Sequence, residues 1–408
     1  MKMKDLSYLK GKPIAILGAG GIGKALAADC VLSGQEVVLC DLEPFASKTL
    51  SNLQNGFRLH GDQTNRFGFY RDGVAKFDKV TTSVEEAVKD AEIIIVALPA
   101  VGHKFFFKEL IPHLRDGQII HIFPDNYGTL VLRKMMREMG CDKKVVIGGW
   151  SSAPYGSRID SEGPFMLPST RIMYRAITLR GAALPMTDQE VFLESVKYIG
   201  AMDAITQGLG PVGGNTVMDT GFSNVNPILH CPGVILGVGA LENYGLIYGD
   251  NKKDFSIYCH VYSPTVSKVQ YAVYLEECKI AEAMGVGIQP FAKEEFFSRS
   301  NILGSEYMGE GMHVPYEEVY EMALGTGPFS VDHRYMTEDI PIGCHVFHEL
   351  GKKYGVATPI IDSMINMANA MLDRDFYAEG LKLEDLGIGH MNKEELLDYL
   401  NNGTYKAE

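Results

Sequence analysis

Four segments of this 408-residue chain carry side chains or glycines whose types and spacing could do chemistry. The first is "FSNVNPILHCPGVIL" (222–236), which sets one imidazole, His230, after Asn224 and Asn226 in an otherwise apolar run. A histidine is the side chain that gains or loses a proton nearest neutral pH, so a general acid–base role is open to it. The second is "DHRYMTED" (332–339), where Arg334 and Asp339 stand five residues apart. An arginine grips a carboxylate with two parallel hydrogen bonds. An aspartate on the far nitrogen of a histidine fixes its tautomer and stabilises the imidazolium. Asp339 could do this for His230 across 109 residues of sequence. The third is "CHVFHE" (344–349), with His345 and His348 three apart. That is helical spacing for a metal pair, but no further ligand cluster accompanies it. It reads as two exposed helix histidines, and no metal site is expected.

The fourth segment is "ILGAGGIGKALA", which contains Gly18-x-Gly20-x-x-Gly23 directly after an apolar strand and at the start of a helical pattern. The first glycine permits a tight turn, the second lets the backbone approach a pyrophosphate, and the third lets helix and strand pack closely. Unpaired N–H groups and the positive dipole end of the helix then bind the phosphates. Gly21 and Ile22 lie within the same loop, and Pro99 ends another strand of the same sheet; all three are included in the expected cofactor contacts. Asp41 follows Gly18 by 23 residues, at the end of the next strand. A carboxylate there accepts from the adenosine ribose 2′-hydroxyl and repels a 2′-phosphate. The following "LEPF" offers no arginine to bind one. NAD(H) is therefore favoured, with NADP(H) the alternative.

These residues need a scaffold. "PIAILG" (13–18), "EVVLC" (36–40), "EIIIVALP" (92–99), "QIIHIF" (118–123) and "KVVIGG" (144–149) read as short buried strands rich in β-branched residues. Helical patterns separate them, which predicts a parallel, doubly wound sheet covered by helices over residues 1–200. From 201 to 408 strand-like runs are few. "SPTVSKVQYAVYLEECKIAEAMG" (263–285) begins with Ser263 as N-cap and Pro264 at the first helical position, and Gly285 stops it. "TPIIDSMINMANAMLDRDF" (358–376) reads the same way, so a helical second domain is expected. No long linker separates the halves, which favours a tight cleft over a flexible tether.

The formal net charge of −13 argues against a nucleic-acid surface and against anionic lipid. Apolar runs such as 93–101 fall short of a membrane span, and no signal-peptide-like stretch precedes the glycines. Seven scattered cysteines without a C-x-x-C pair suit free thiols in a reducing cytoplasm.

Taken together, "SNVNPILH", "SPTVSKVQYAVYLEECKIAEAMG", "RYMTEDIPIG" and "VATPIIDSMINMANAMLDRDFYAEGLKLEDLGI" resemble the opine dehydrogenases, the octopine/nopaline dehydrogenase family. The resemblance runs in order from the glycine loop to about residue 388. It implies an N-terminal Rossmann domain and an all-α C-terminal domain of the 6-phosphogluconate-dehydrogenase-like type, with the active site between them. It implies NAD(P)H-dependent condensation of an α-keto acid with the amino group of an amino acid, or the reverse oxidation. His230 is then the acid/base, Asp339 its partner and Arg334 the anchor for a substrate carboxylate, while Asn224 and Asn226 shape the segment or touch ligand. Small-molecule substrates are expected, and no nucleic acid or membrane partner; a homodimer is compatible with this reading. The chain departs from its relatives at "GGWSSAPYGSR", where an acidic residue is common, and at His260 and Tyr274, where carboxylates are common. Two rivals remain: a two-domain hydroxyacid or ketoacid dehydrogenase without an amine substrate, and a non-catalytic NAD(H) sensor.

Overall fold

The computed structural model describes residues 5–61, 68–160, 167–249, 255–297 and 326–407. Among the described residues the twelve strands are β1 (Ile14–Leu17), β2 (Val37–Cys40), β3 (Phe57–His60), β4 (Gly73–Ala75), β5 (Lys79–Thr81) and β6 (Ile93–Val96), followed by β7 (Ile119–Ile122), β8 (Val146–Trp150), β9 (Tyr155–Ile159), β10 (Ser169–Arg175), β11 (Thr178–Ala183) and β12 (Gly210–Gly213). The chain divides into two compact units, 1–220 with 397–407, and 221–396.

In the first unit, eight strands form one sheet in the order β12-β11-β8-β7-β6-β1-β2-β5. Every residue of β1, β2, β6 and β7 is buried, as expected for strands covered on both faces. The pairs from β5 across to β8 are parallel, as the alternating pattern predicts. β1 has β2 on one side and β6 on the other, so consecutive connections leave it in opposite directions. That is the switch point of a doubly wound sheet, where ligands bind at the carboxyl ends of the strands.

Two features go beyond the sequence reading. β11 joins β8 antiparallel, and a separate four-stranded sheet, β4-β3-β10-β9, is added. These strands ("YGSRI", "STRIMYR") carry arginines and serines, and lack the continuous apolar run that marks a central strand. The compact unit also extends past residue 200: β12 pairs parallel with β11, and Thr220 Oγ1 donates to the buried Asp125 at 2.8 Å. The boundary between units therefore falls at 220.

The second unit is helical, built on Asn226–Glu242, Pro264–Met284, His345–Tyr354 and Pro359–Leu372. Ser263 Oγ accepts from Val266 N, and Gly285 closes the long helix with φ 76°. Val273, Ile280 and Met284 on that helix are buried, each contributing roughly 1.5–3 kcal/mol. The helical stretch Met218–Glu242 is long and apolar enough to cross a membrane, but 72% of its most apolar window is buried inside the structure. It is a core helix.

Candidate active site

In the first unit, the glycine loop lies between β1 and the helix Gly21–Leu32, whose N-cap is Gly20. Gly18 has φ +98°, which an L side chain rarely adopts. A Cβ on Gly23 would stand 1.8 Å from the Gly18 carbonyl oxygen, so only glycine lets the helix start this close to the turn. Gly18, Gly20, Asp41 and Pro99 line a cavity of about 790 Å³. Gly21 and Ile22 form the first turn of the helix, and Gly23 is buried against the turn. Asp41 is buried at the end of β2, where Oδ2 accepts from Ala19 N (3.1 Å) and Oδ1 from Leu42 N (2.9 Å).

Sequence reasoning missed several lining residues. Lys24, directly after the last glycine, and Lys48 both line the cavity. Burial lowers the Lys24 ammonium from its usual range, and Asp41 pulls it back up. Phe45 and Phe105 also line it, edge to face at 6.2 Å and each about half exposed. Phe45 stands in "LEPF", directly after Asp41.

In the second unit, His230 sits in the second turn of Asn226–Glu242, 6% exposed. Its Nδ1 lies 2.7 Å from Asp339 Oδ2, and its Nε2 lies 2.9 Å from the Tyr258 hydroxyl. Tyr335 stacks on the imidazole, with ring centroids 3.5 Å apart and planes at 15°. Burial pushes the Asp339 carboxyl up to about 7, against the pull of the Arg334 guanidinium. Arg334 pairs with Glu338 at 2.8 Å and keeps about half of its side chain exposed. Asn224 is buried, and its Oδ1 accepts from Asn226 N at 3.1 Å, folding the chain back just before the helix. The structure thus joins His230 to Asp339, and Asn224 to Asn226, while Arg334 sits against Glu338.

His345 and His348 have other duties. His345 is buried with Nδ1 3.1 Å from the Leu381 carbonyl, which corrects the expectation of an exposed residue. His348 Nδ1 is 2.7 Å from Asp362 Oδ1. The helix turns its first histidine inward because Val346, Phe347 and Leu350 beside it are core residues. Among the described residues no group of three or more His, Cys, Asp and Glu has metal-holding geometry.

Of the departures from the expected pattern, Trp150 and Tyr274 are buried, while His260 is exposed. Trp150 is fully buried, donating from Nε1 to His121 Nδ1 at 3.1 Å, and Ser151 N donates to Arg180 O. His260 Nδ1 accepts from Ser256 N at 3.0 Å. The Tyr274 hydroxyl donates to Gln289 O and accepts from Phe291 N, while burial pushes the phenol above its usual range.

Residues 214–372 match the family model for the NAD/NADP octopine/nopaline dehydrogenase alpha-helical domain. An opine dehydrogenase of Arthrobacter sp. (strain 1C) is 26% identical, over 93% of this chain and 96% of its own length. Over nearly its whole length the chain is similar to the octopine/nopaline dehydrogenases. A second relative, vitopine synthase of Allorhizobium ampelinum, is 21% identical over 95% of this chain and 99% of its own. Residues 13–122 match a second model, NADP oxidoreductase coenzyme F420-dependent, over the glycine-loop half of the first unit. The fold of an octopine dehydrogenase solved with NADH and L-arginine superposes at a TM-score of 0.65, with 16% identity over 97% of this chain and 99% of that one. The architecture is the family's: a Rossmann-type α/β unit and a helical unit.

Proposed function

We propose that this protein is an NAD(P)H-dependent opine dehydrogenase, which condenses a pyruvate-like α-keto acid with the amino group of an amino acid, or oxidises such a secondary amine in reverse. The observation that carries the reading is the 2.7 Å contact between His230 Nδ1 and Asp339 Oδ2, buried in the helical unit of a chain whose other unit has a dinucleotide loop.

The residues of the first unit fit a dinucleotide. Gly18 and Gly20 leave the backbone bare beside a helix N-terminus without a side-chain cap, so its N–H groups are available to a pyrophosphate. Asp41 lines the same cavity and favours a ribose hydroxyl over a phosphate, hence NADH over NADPH. When bound, the reduced nicotinamide supplies the hydride that saturates the former keto carbon. In the second unit, His230 gives and takes the proton that carbinolamine collapse and imine formation require. Asp339 holds the ring through Nδ1 and stabilises the imidazolium. Arg334 has guanidinium N–H groups beyond the one on Glu338, and these bind the keto-acid carboxylate. Asn224 and Asn226 shape the turn that sets the start of the His230 helix. All seven cysteines are free, which supports a reducing cytoplasm in this reading.

The test is loss of NADH absorbance with pyruvate and a panel of amino acids and simple amines, repeated with NADPH and with His230→Ala. Oxidation that requires both keto acid and amine and is lost in the variant supports the reading. Oxidation with keto acid alone assigns a hydroxyacid dehydrogenase instead.

A further inference from the structure

The imidazole of His230 has a second contact that the His–Asp pairing does not use. Nε2, the nitrogen opposite Asp339, lies 2.9 Å from the hydroxyl of Tyr258, and that hydroxyl lies 3.2 Å from the hydroxyl of Tyr335. Tyr258 and Tyr335 are each 7% exposed. Tyr335 stacks on one face of the ring, and Tyr258 meets it edge-on, with planes at 74°. The imidazole is thus held at both nitrogens and on a face before any substrate arrives.

The backbone that brings in these partners is unusual. Tyr258 lies in a π-helical turn, Ile257–Val261, and Asp339 opens another, Asp339–Cys344. Such turns are rare and recur at functional sites, because they shift side chains out of ordinary helical register. The first turn packs close to the His230 helix: a Cβ on Gly237 would lie 2.4 Å from the Val261 side chain. Tyr262, the next residue, donates to the Leu229 carbonyl at 2.8 Å and anchors the turn one residue before His230.

Donor and acceptor roles follow from the chemistry of the groups. Asp339 as a carboxylate accepts from Nδ1–H, so in the neutral ring Nε2 is an acceptor and the Tyr258 hydroxyl donates to it. When Nε2 gains a proton the direction reverses: Nε2–H donates, and the Tyr258 oxygen accepts while pointing its own hydrogen elsewhere.

We propose that Tyr258 is a catalytic residue of this enzyme, the proton carrier between His230 and the reacting nitrogen or oxygen of the substrate. The proposal rests on the dehydrogenase reading above. In the transfer, the Tyr258 O–H bond breaks as the substrate gains its proton. The Nε2–H bond breaks in the same event, and its proton restores the Tyr258 hydroxyl. One proton leaves the imidazolium, one arrives on the substrate, and the tyrosine is unchanged. The reverse oxidation runs the same chain backwards. Tyr335 holds the imidazole plane and the Tyr258 hydroxyl in place and is a positioning residue.

The experiment uses the full chain in three forms: wild type, Tyr258→Phe, and a protein with 3-fluorotyrosine at 258. Steady-state rates and NADH binding are measured on all three. The 15N resonances of the His230 ring are measured in wild type and Tyr258→Phe. The expected result is a kcat about 100-fold lower in Tyr258→Phe, with KM for the keto acid and NADH affinity within about threefold. In the fluorinated protein, which keeps the fold and has a more acidic phenol, the pH profile of kcat shifts to lower pH. Among the described residues, the groups facing that phenol include His230, Tyr335 and, edge-on at 5.3 Å, Tyr262. A Tyr258→Phe kcat within threefold of wild type, or a fluorotyrosine profile identical to wild type, overturns the proposal. If wild type turns over no keto acid and amine pair, the dehydrogenase reading fails by itself. The His230 spectrum then decides the link: an Nε2 resonance unmoved by Tyr258→Phe overturns it, and a moved one keeps the hydrogen-bonded chain.

Discussion

Asp339 Oδ2 sits 2.7 Å from His230 Nδ1 although 109 residues of chain separate them. Both side chains are buried, so the pair shares charge in a poorly solvated setting. Burial holds the Asp339 carboxyl up to about 7, and Arg334 holds it from going higher. An asparagine at 339 keeps the size of the side chain but is no longer a charged acceptor that fixes the tautomer. Asp339→Asn is expected to lower kcat by about 100-fold or more while leaving NADH affinity unchanged. Fluorescence titration with NADH alongside steady-state rates checks this, and a kcat within a few-fold of wild type would remove Asp339 from the machinery.

The proposed reading gives Arg334 two effects that can be separated. As carboxylate anchor, its replacement by Lys loses the two-pronged geometry, and KM for the keto acid should rise at least tenfold. As the cation beside Asp339, its replacement by Gln removes the pull that lowers that carboxyl. The midpoint near pH 7 in the pH profile of kcat/KM should therefore move to higher pH in Arg334→Gln and stay in place in Arg334→Lys. A rise in KM without a pH shift would leave Arg334 as an anchor alone.

What the sequence disclosed follows from how local each signal is. The glycine loop, Asp41, and the caps at Ser263 and Gly285 are decided within a few residues, and the structure has Gly18 at positive φ, Asp41 buried after β2 and both caps formed. The family resemblance tied His230 to Asp339, which spacing alone could not, because that contact is made by packing between distant helices. Tyr258 was missed for the same reason: π-helical turns leave no periodic trace, and a tyrosine in "FSIYCHVYSP" reads as an ordinary core aromatic. The second sheet escaped notice because its strands alternate apolar residues with arginines and serines.

Asp41 and the glycines make separate demands on the cofactor. A carboxylate at the end of β2 disfavours a 2′-phosphate, while Lys24 and Lys48 already line the cavity. Asp41→Asn should therefore narrow the NADH over NADPH preference by about tenfold, mostly through tighter NADPH binding. Its measure is the ratio of kcat/KM for the two cofactors. Gly23→Ala, with its Cβ forced onto the Gly18 carbonyl, should weaken both cofactors together and destabilise the fold by about 1–3 kcal/mol. A variant with normal NADH binding would contradict the close approach seen here.

Asp125 offers a test of stability rather than turnover. It is fully buried after β7, where Oδ1 accepts from Thr129 N at 2.9 Å and from the Thr129 hydroxyl, and Oδ2 from Thr220 Oγ1 at 2.8 Å. Burial outweighs these bonds and raises the carboxyl from 3.8 to about 6. With the folded value above the unfolded one, the native state binds the proton more tightly. The stability this contributes is fully present below about pH 4 and is lost as pH rises through 6. The shift corresponds to roughly 3 kcal/mol. Asp125→Asn has no such proton to lose, so its stability relative to wild type should improve by about that amount between pH 4 and pH 6. Urea unfolding of both proteins across this range measures it. A gap between the two that stays constant with pH would mean that Asp125 ionises in the fold as easily as in the unfolded chain.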